Sequence, residues 1–253
     1  MAAVASESAC AAAKLSARVP AGSAPSAQAA RPRLHYFAGW GLAEQTRWLL
    51  AAWRGEHEFE QVVLHERSEM EALLREGRLL FRQLPLLEMD GLQIVQSQAM
   101  VRHVARAAGL AGRSTEEQTV VDMVCETVKD VRMFVLTWVF KPEAERAAHA
   151  REAAGKVAVV FPGFEALIGA QGGVCASGLS AADVLLAECM YELRGNILPD
   201  DAFDAYPGCS RVLAKVLALP NIQQYLASDK RFPFPAGRVG ELYVANVNTV
   251  LGR

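Results

Sequence analysis

A proline stands at the entrance of what otherwise reads as a strand, and it constrains the chain more than any other single feature. In Phe81-Arg82-Gln83-Leu84-Pro85-Leu86-Leu87-Glu88-Met89-Asp90-Gly91-Leu92-Gln93-Ile94-Val95-Gln96-Ser97, two short apolar runs flank Asp90-Gly91. Asp-Gly between such runs signals a two-residue type I′ hairpin, because both central residues need positive φ. Pro85 lacks a backbone donor and argues against a central strand position. A cis Leu84–Pro85 bond resolves the conflict, since it turns the chain and leaves the N–H and C=O of Leu84 free. A trans proline on an edge strand is the plainer alternative. Ser97 then reads as the cap of a helix running to about Ala108.

The segments before this hairpin complete an order. Arg33-Leu34-His35-Tyr36-Phe37 reads as a short alternating strand, broken by Ala38-Gly39-Trp40-Gly41. Residues 42–53 carry Leu42, Thr46, Leu49 and Trp53 at helical spacing. A second strand is expected over residues 57–64, then a helix opened by the capping box Ser68-Glu69-Met70-Glu71. The order over residues 32–110 is β-α-β-α-β-β-α, the thioredoxin-like arrangement of a mixed four-stranded sheet with helices. Beyond the linker Gly109-Leu110-Ala111-Gly112 no strand is evident. Residues 114–253 read as an all-α domain, giving an α+β/α chain overall. Its helices are expected over 114–140, over 143–170 with a kink at Phe161-Pro162-Gly163, and from the cap Ser180 with Asp183 three residues on. Gln171-Gly172-Gly173 is a loop, and shorter helices follow over 207–217 and 221–226.

Composition excludes several classes. Of 253 residues, 52% are hydrophobic and 21% charged, with formal net charge −2, so no concentrated basic face offers itself to nucleic acid. No apolar run approaches the roughly 20 residues of a membrane span. Five cysteines form no C-x-x-C pair and the histidines no H-E-x-x-H, which reads as reduced thiols without a metal. Residues 1–31 are Ala/Ser-rich with one acid, Glu7, and carry Lys14, Arg18 and Arg31. They read as a disordered tail of a cytoplasmic protein or, alternatively, as a transit peptide to mitochondrion or plastid.

Tyr36-Phe37, Gly41, Arg47-Trp48-Leu49-Leu50, residues 81–85, Gln96-Ser97 and Leu179-Ser180-Ala181-Ala182-Asp183 together resemble the cytosolic glutathione transferases. The likeness spans residues 33–253 and is best to the alpha class, with sigma- and mu-like features. It implies an enzyme that conjugates glutathione, as co-substrate, to hydrophobic electrophiles. A free thiol has a pKa of about 8.5, and lowering it by ~2 units takes about 2.7 kcal/mol of preferential anion stabilisation. A phenol aimed at the sulfur supplies much of that as a hydrogen bond to a charged acceptor. The resemblance gives that part to Tyr36, which on its own reads as a core or surface tyrosine.

The resemblance also implies that Leu84, ahead of Pro85, pairs its backbone with the cysteinyl part of glutathione like an added strand. Gln96 and Ser97, at a helix N-terminus suited to an anion, hold the γ-glutamyl carboxylate. Gln83 and Arg75 match peptide and glycyl-carboxylate contacts, and Asp130 an acid reaching the glutathione amino group across a dimer interface. Phe81 matches an exposed aromatic key of a homodimer, with Met123 and Phe164 in its socket. Residues 239–251 carry an i, i+3, i+4 apolar pattern, and in the alpha class such a terminal helix closes over the electrophile. Phe37, Met133, Val135, Leu136, Tyr243 and Val247 are the candidates for lining that site. Two positions depart from the alpha class: Leu42 stands where arginine is usual, as in the mu class, and Val159 replaces another arginine. A glutathione-dependent isomerase of the prostaglandin-synthase kind and a non-catalytic ligand carrier or scaffold are the alternative readings.

Overall fold

The computed structural model describes residues 31–55, 58–168 and 172–253. Residues 1–30 of the tail expected over 1–31 lie outside them, as do His57 of the expected second strand and Gln171 of the expected loop. The first half contains β1 (Arg33–Phe37), a 3-10 turn (Gly41–Ala43), α1 (Glu44–Arg54), β2 (Glu60–Leu64), α2 (Arg67–Arg75), β3 (Leu86–Met89), β4 (Leu92–Val95) and α3 (Ser97–Ala107). The sheet order is β2-β1-β3-β4, with β1 and β2 parallel and the other pairs antiparallel. This is a thioredoxin-like layout. The remainder is helical: α4 (Thr115–Trp138), α5 (Glu143–Leu167), α6 (Ala181–Leu193), α7 (Pro207–Leu217), α8 (Pro220–Ala227) and α9 (Gly237–Leu251).

Local chemistry explains most of these elements. Asp90 and Gly91 take φ of 52° and 76°, both positive as the hairpin turn demands. β1 does not alternate as expected, because Leu34, His35, Tyr36 and Phe37 are all buried. The strand is central and covered on both faces, so neither face is free to be polar. His35 is accommodated by its Nε2 contact with Glu88 at 2.9 Å, and burial lowers its pKa from the ordinary value. The expected cap of α2 shifts by two residues. Glu66 holds the N-cap position with Glu69 completing the box, while Ser68 falls inside the first turn. A carboxylate can accept the same backbone N–H as a hydroxyl, which sequence spacing did not separate. Pro162 lies inside α5, which runs on to Leu167.

The helical half is built around α6, buried on nearly every side. Its N-terminus is closed by Asp183, whose Oδ2 accepts the Ser180 N–H at 2.8 Å and Ser180 Oγ–H at 2.7 Å, while Oδ1 accepts the Val174 N–H at 2.8 Å. α1 packs against α6 and α8, joining the two halves. Among the described residues no helix is long and apolar enough to cross a membrane, and no group of three His, Cys, Asp or Glu is placed to hold a metal. Asp183→Ala strips two buried donors and one partly buried donor of their acceptor, so urea unfolding should show a loss of about 2–3 kcal/mol.

Candidate active site

Tyr36 is the penultimate residue of β1, its ring buried beside Phe37 with the centroids 4.8 Å apart. The chain then doubles back, Gly39 N–H bonding Phe37 O at 2.8 Å, and brings the Leu42 N–H to the Tyr36 hydroxyl oxygen at 3.0 Å. Gly41 makes this turn possible. It has φ of +34°, and a Cβ there would lie 2.5 Å from the hydroxyl oxygens of both Tyr36 and Tyr243. The phenol is therefore held at a fixed point over a bare backbone.

Two buried arginines hold the underside of the turn. Arg47 Nη1, from α1, donates to Trp40 O at 3.0 Å, and Arg132 Nη2, from α4, donates to Gly41 O at 2.8 Å. Each has its own acid: Arg47 pairs with Glu44 at 3.0 Å, and Arg132 Nε with Glu188 at 2.9 Å. Glu44 also accepts from Trp48 Nε1 at 3.1 Å and from the Tyr225 hydroxyl at 2.7 Å. Burial favours loss of the Arg132 proton, but the Glu188 carboxylate outweighs it and holds the guanidinium pKa above its ordinary value. Sequence reading missed both arginines as site residues. Arg132 sits beside the stripe Val124, Val128, Val131 and Val135, where a charge reads as the edge of an apolar face.

The turn also walls an apolar cavity lined by Trp40, Leu136, Val139, Phe232, Pro235 and Tyr243 among others. Of the residues expected to line an electrophile site, Leu136 and Tyr243 line this cavity. Phe37, Val135 and Val247 are instead buried in the core, and Met133 is exposed and outside the cavity. The corrections come from helical phase: α4 turns Leu136 and Val139 to the cavity and Val135 inward. Phe232 and Pro235, in the segment before α9, were not anticipated as lining.

Further along the sheet, Leu84–Pro85 is cis. Leu84 lies beyond the β1–β3 ladder, and its N–H and C=O make no backbone hydrogen bond among the described residues. Gln96 Nε2 donates to Gln83 Oε1 at 2.9 Å, tying the two expected glutathione contacts together. Ser97 does not cap α3. Gln96 occupies that position with φ of 73° and no side-chain cap, while its C=O takes the N–H groups of Ala99 and Met100. The N–H groups of Ser97 and Gln98 thus make no backbone bond among the described residues. Arg75 is exposed at the end of α2. Asp130 lies on the outer side of α4, 3.6 Å from Lys156 of α5, and Val159 is 77% exposed. Phe81 and Met123 are each 58% exposed, whereas Phe164 is buried edge-on to Phe161.

The glutathione S-transferase N-terminal domain matches residues 32–106, and the C-terminal domain of the same family matches residues 129–229. Glutathione S-transferase A3 of Mus musculus is 32% identical over 210 residues, covering 81% of this chain and 93% of that one. The chain belongs to the glutathione transferase family. Its sequence relatives are alpha-like: glutathione S-transferase alpha-5 of Rattus norvegicus is 32% identical over 81% of this chain and 92% of its own length. Among solved structures, prostaglandin synthase D of Nilaparvata lugens matches with a TM-score of 0.64 at 26% identity, over 79% of this chain and 98% of that one. Monomeric Na-GST-3 of Necator americanus matches with a TM-score of 0.66 at 28% identity, over 78% and 96%.

In this transferase the Arg132–Glu188 pair carries a dual load. Arg132→Met leaves a buried carboxylate alone and should cost about 3–5 kcal/mol in urea unfolding. Adding Glu188→Leu should recover most of that stability. Neither variant returns a donor to the Gly41 carbonyl, so transferase turnover should stay depressed in both.

Proposed function

We propose that this chain conjugates the glutathione thiolate to hydrophobic electrophiles, with Tyr36 stabilising the thiolate. The observation that carries the reading is the fixed Tyr36 hydroxyl, set beside Gly41, a residue that itself lines the apolar cavity. The tripeptide lies along Leu84 and Pro85, its cysteinyl amide pairing with the free Leu84 backbone. Its γ-glutamyl carboxylate meets the unpaired N–H groups at the start of α3, beside Gln96 and Ser97, where the helix dipole favours an anion. Gln83 and Arg75 contact the rest of the peptide. The thiol proton leaves to solvent, the Tyr36 O–H donates to the remaining sulfur anion, and the sulfur attacks an electrophilic carbon, whose leaving group departs with its electron pair. The apolar lining selects partners with little charge.

The likeness to a prostaglandin synthase favours a second reading, glutathione-dependent isomerisation at the same site. Product analysis with an endoperoxide against a chlorinated aromatic separates the two. A ligand carrier or scaffold would not depend on Tyr36. The four described cysteines are buried and free, which suits a reducing compartment, and we place the enzyme in the cytoplasm.

Tyr36→Phe should lower turnover of a chlorinated aromatic about 10- to 100-fold, the worth of one hydrogen bond to a charged group, with little change in glutathione affinity by titration calorimetry. Equal rates would refute the role given to Tyr36.

We further propose a C₂ homodimer in which the exposed Phe81 of each subunit inserts beside Met123 of the other, over a floor formed by Phe164, with Asp130 reaching the neighbouring glutathione. In this chain Asp130 faces Lys156, so glutathione competes with that pair. Sedimentation velocity should show a dimer for the wild type and a monomer for Phe81→Ser at micromolar concentration; a monomeric wild type rules the interface out.

A further inference from the structure

Tyr243 is placed with more constraint than a residue that merely lines a cavity. Its ring lies directly on the turn: a Cβ added to Gly39 would fall 2.2 Å from Tyr243 Cδ2, and one added to Gly41 would fall 2.5 Å from the Tyr243 oxygen. Two glycines therefore clear the space it occupies. The Tyr243 and Tyr36 hydroxyl oxygens converge there, each 2.5 Å from the Cβ position at Gly41. α9, which carries Tyr243, is pinned by polar contacts over its C-terminal half. Asn246 Oδ1 accepts the Ala38 N–H at 2.7 Å, and its Nδ2 donates to Leu64 O at 3.0 Å. Arg67 Nη1 donates to the Leu251 and Val250 carbonyls at 2.9 and 3.4 Å, closing the last turn of the helix. A helix held only by apolar contact could slide; this one cannot without breaking the hydrogen bonds at Asn246 and at its last turn.

We propose that Tyr243 is a positioning residue for the thiolate: its O–H donates to the Tyr36 oxygen alongside the Leu42 N–H, so that the Tyr36 proton is left to point at the glutathione sulfur. This rests on the reading that Tyr36 faces that sulfur. With both acceptor directions of its oxygen filled, Tyr36 has one remaining role in hydrogen bonding, as a donor. Donation into a hydroxyl oxygen also polarises its own O–H and strengthens the bond it gives onward. Tyr243 would thus make sulfur ionisation easier without touching sulfur. The titratable and charged groups that face its hydroxyl are Tyr36 from β1, Arg47 from α1 and Arg132 from α4. Burial raises the Tyr243 pKa above that of an ordinary tyrosine, so it remains a donor throughout the working range. The thiol proton passes to solvent, and neither phenol changes its protonation state.

The test is the pKa of the thiol in the enzyme–glutathione complex, read from the ultraviolet absorbance of the bound thiolate and from the pH profile of kcat/KM. Tyr243→Phe keeps the ring and removes the hydroxyl. It should raise that pKa by about half to one unit, a roughly 3- to 10-fold loss of thiolate below the pKa, with glutathione affinity preserved. Gly39→Ala, whose added methyl collides with the Tyr243 ring, should raise it in the same direction while leaving Tyr243 itself intact. Tyr36→Phe serves as the reference and should raise it more than either. If Tyr36→Phe raises the pKa and Tyr243→Phe does not, Tyr243 is only part of the cavity wall and the inference is overturned, even where turnover falls. If Tyr36→Phe itself leaves the pKa unmoved, the thiolate reading fails and the inference falls with it.

Discussion

The backbone carbonyls of Trp40 and Gly41 are held by the buried guanidinium groups of Arg47 and Arg132, and the rest of the site is arranged around that grip. A turn with glycine at its centre has many conformations open to it, and two charge-assisted hydrogen bonds on successive carbonyls select one. The selected conformation brings the Leu42 N–H to Tyr36. It also leaves the upper side of Gly41 clear for two hydroxyls. The arginines come from different halves of the chain, so the turn forms correctly only when both halves are docked.

This accounts for the polar character of the contact between the halves. Glu44, Arg47, Arg132, Glu188 and Glu192 are buried, and Arg231 reaches in to pair with Glu192 and to approach Glu44 at 3.7 Å. Apolar packing alone would allow α1 and α6 to shift by small amounts at little cost. Paired charges in a low-dielectric interior do not, because any displacement leaves one of them uncompensated. The geometry of Tyr36 is thereby coupled to a network whose members lie far apart in sequence. Leu42, which departs from the alpha-class pattern, contributes its backbone N–H, while its side chain is 39% exposed. The buried positive charges on the underside of the turn are those of Arg47 and Arg132.

Features governed by short-range rules were legible in the chain. Asp90-Gly91 specifies its turn through φ alone, Pro85 restricts the residue before it, and Ser180 with Asp183 closes a helix end over three residues. Errors arose where two local solutions are nearly equivalent. Glu66 replaces the expected serine as a cap, Gln96 takes the position assigned to Ser97, and one step of helical phase separates the buried Val135 from Leu136 on the cavity wall. β1 looked half-exposed because His35 is polar, and its Glu88 partner on the adjacent strand β3 makes that residue acceptable in the core.

From sequence alone came the strand and helix order, the hairpin and the bent Leu–Pro link, since each depends on neighbours within a few positions, while Tyr36 stood out only through the resemblance of the whole set of motifs to a family. What surrounds the Tyr36 oxygen was decided only by tertiary structure. Arg132 lies 91 residues from Gly41, and Tyr243 arrives from the final helix. Partnerships over such separations leave no periodicity or spacing to read, because they are set by which faces pack together and by the need of every buried charge and hydroxyl to find a partner.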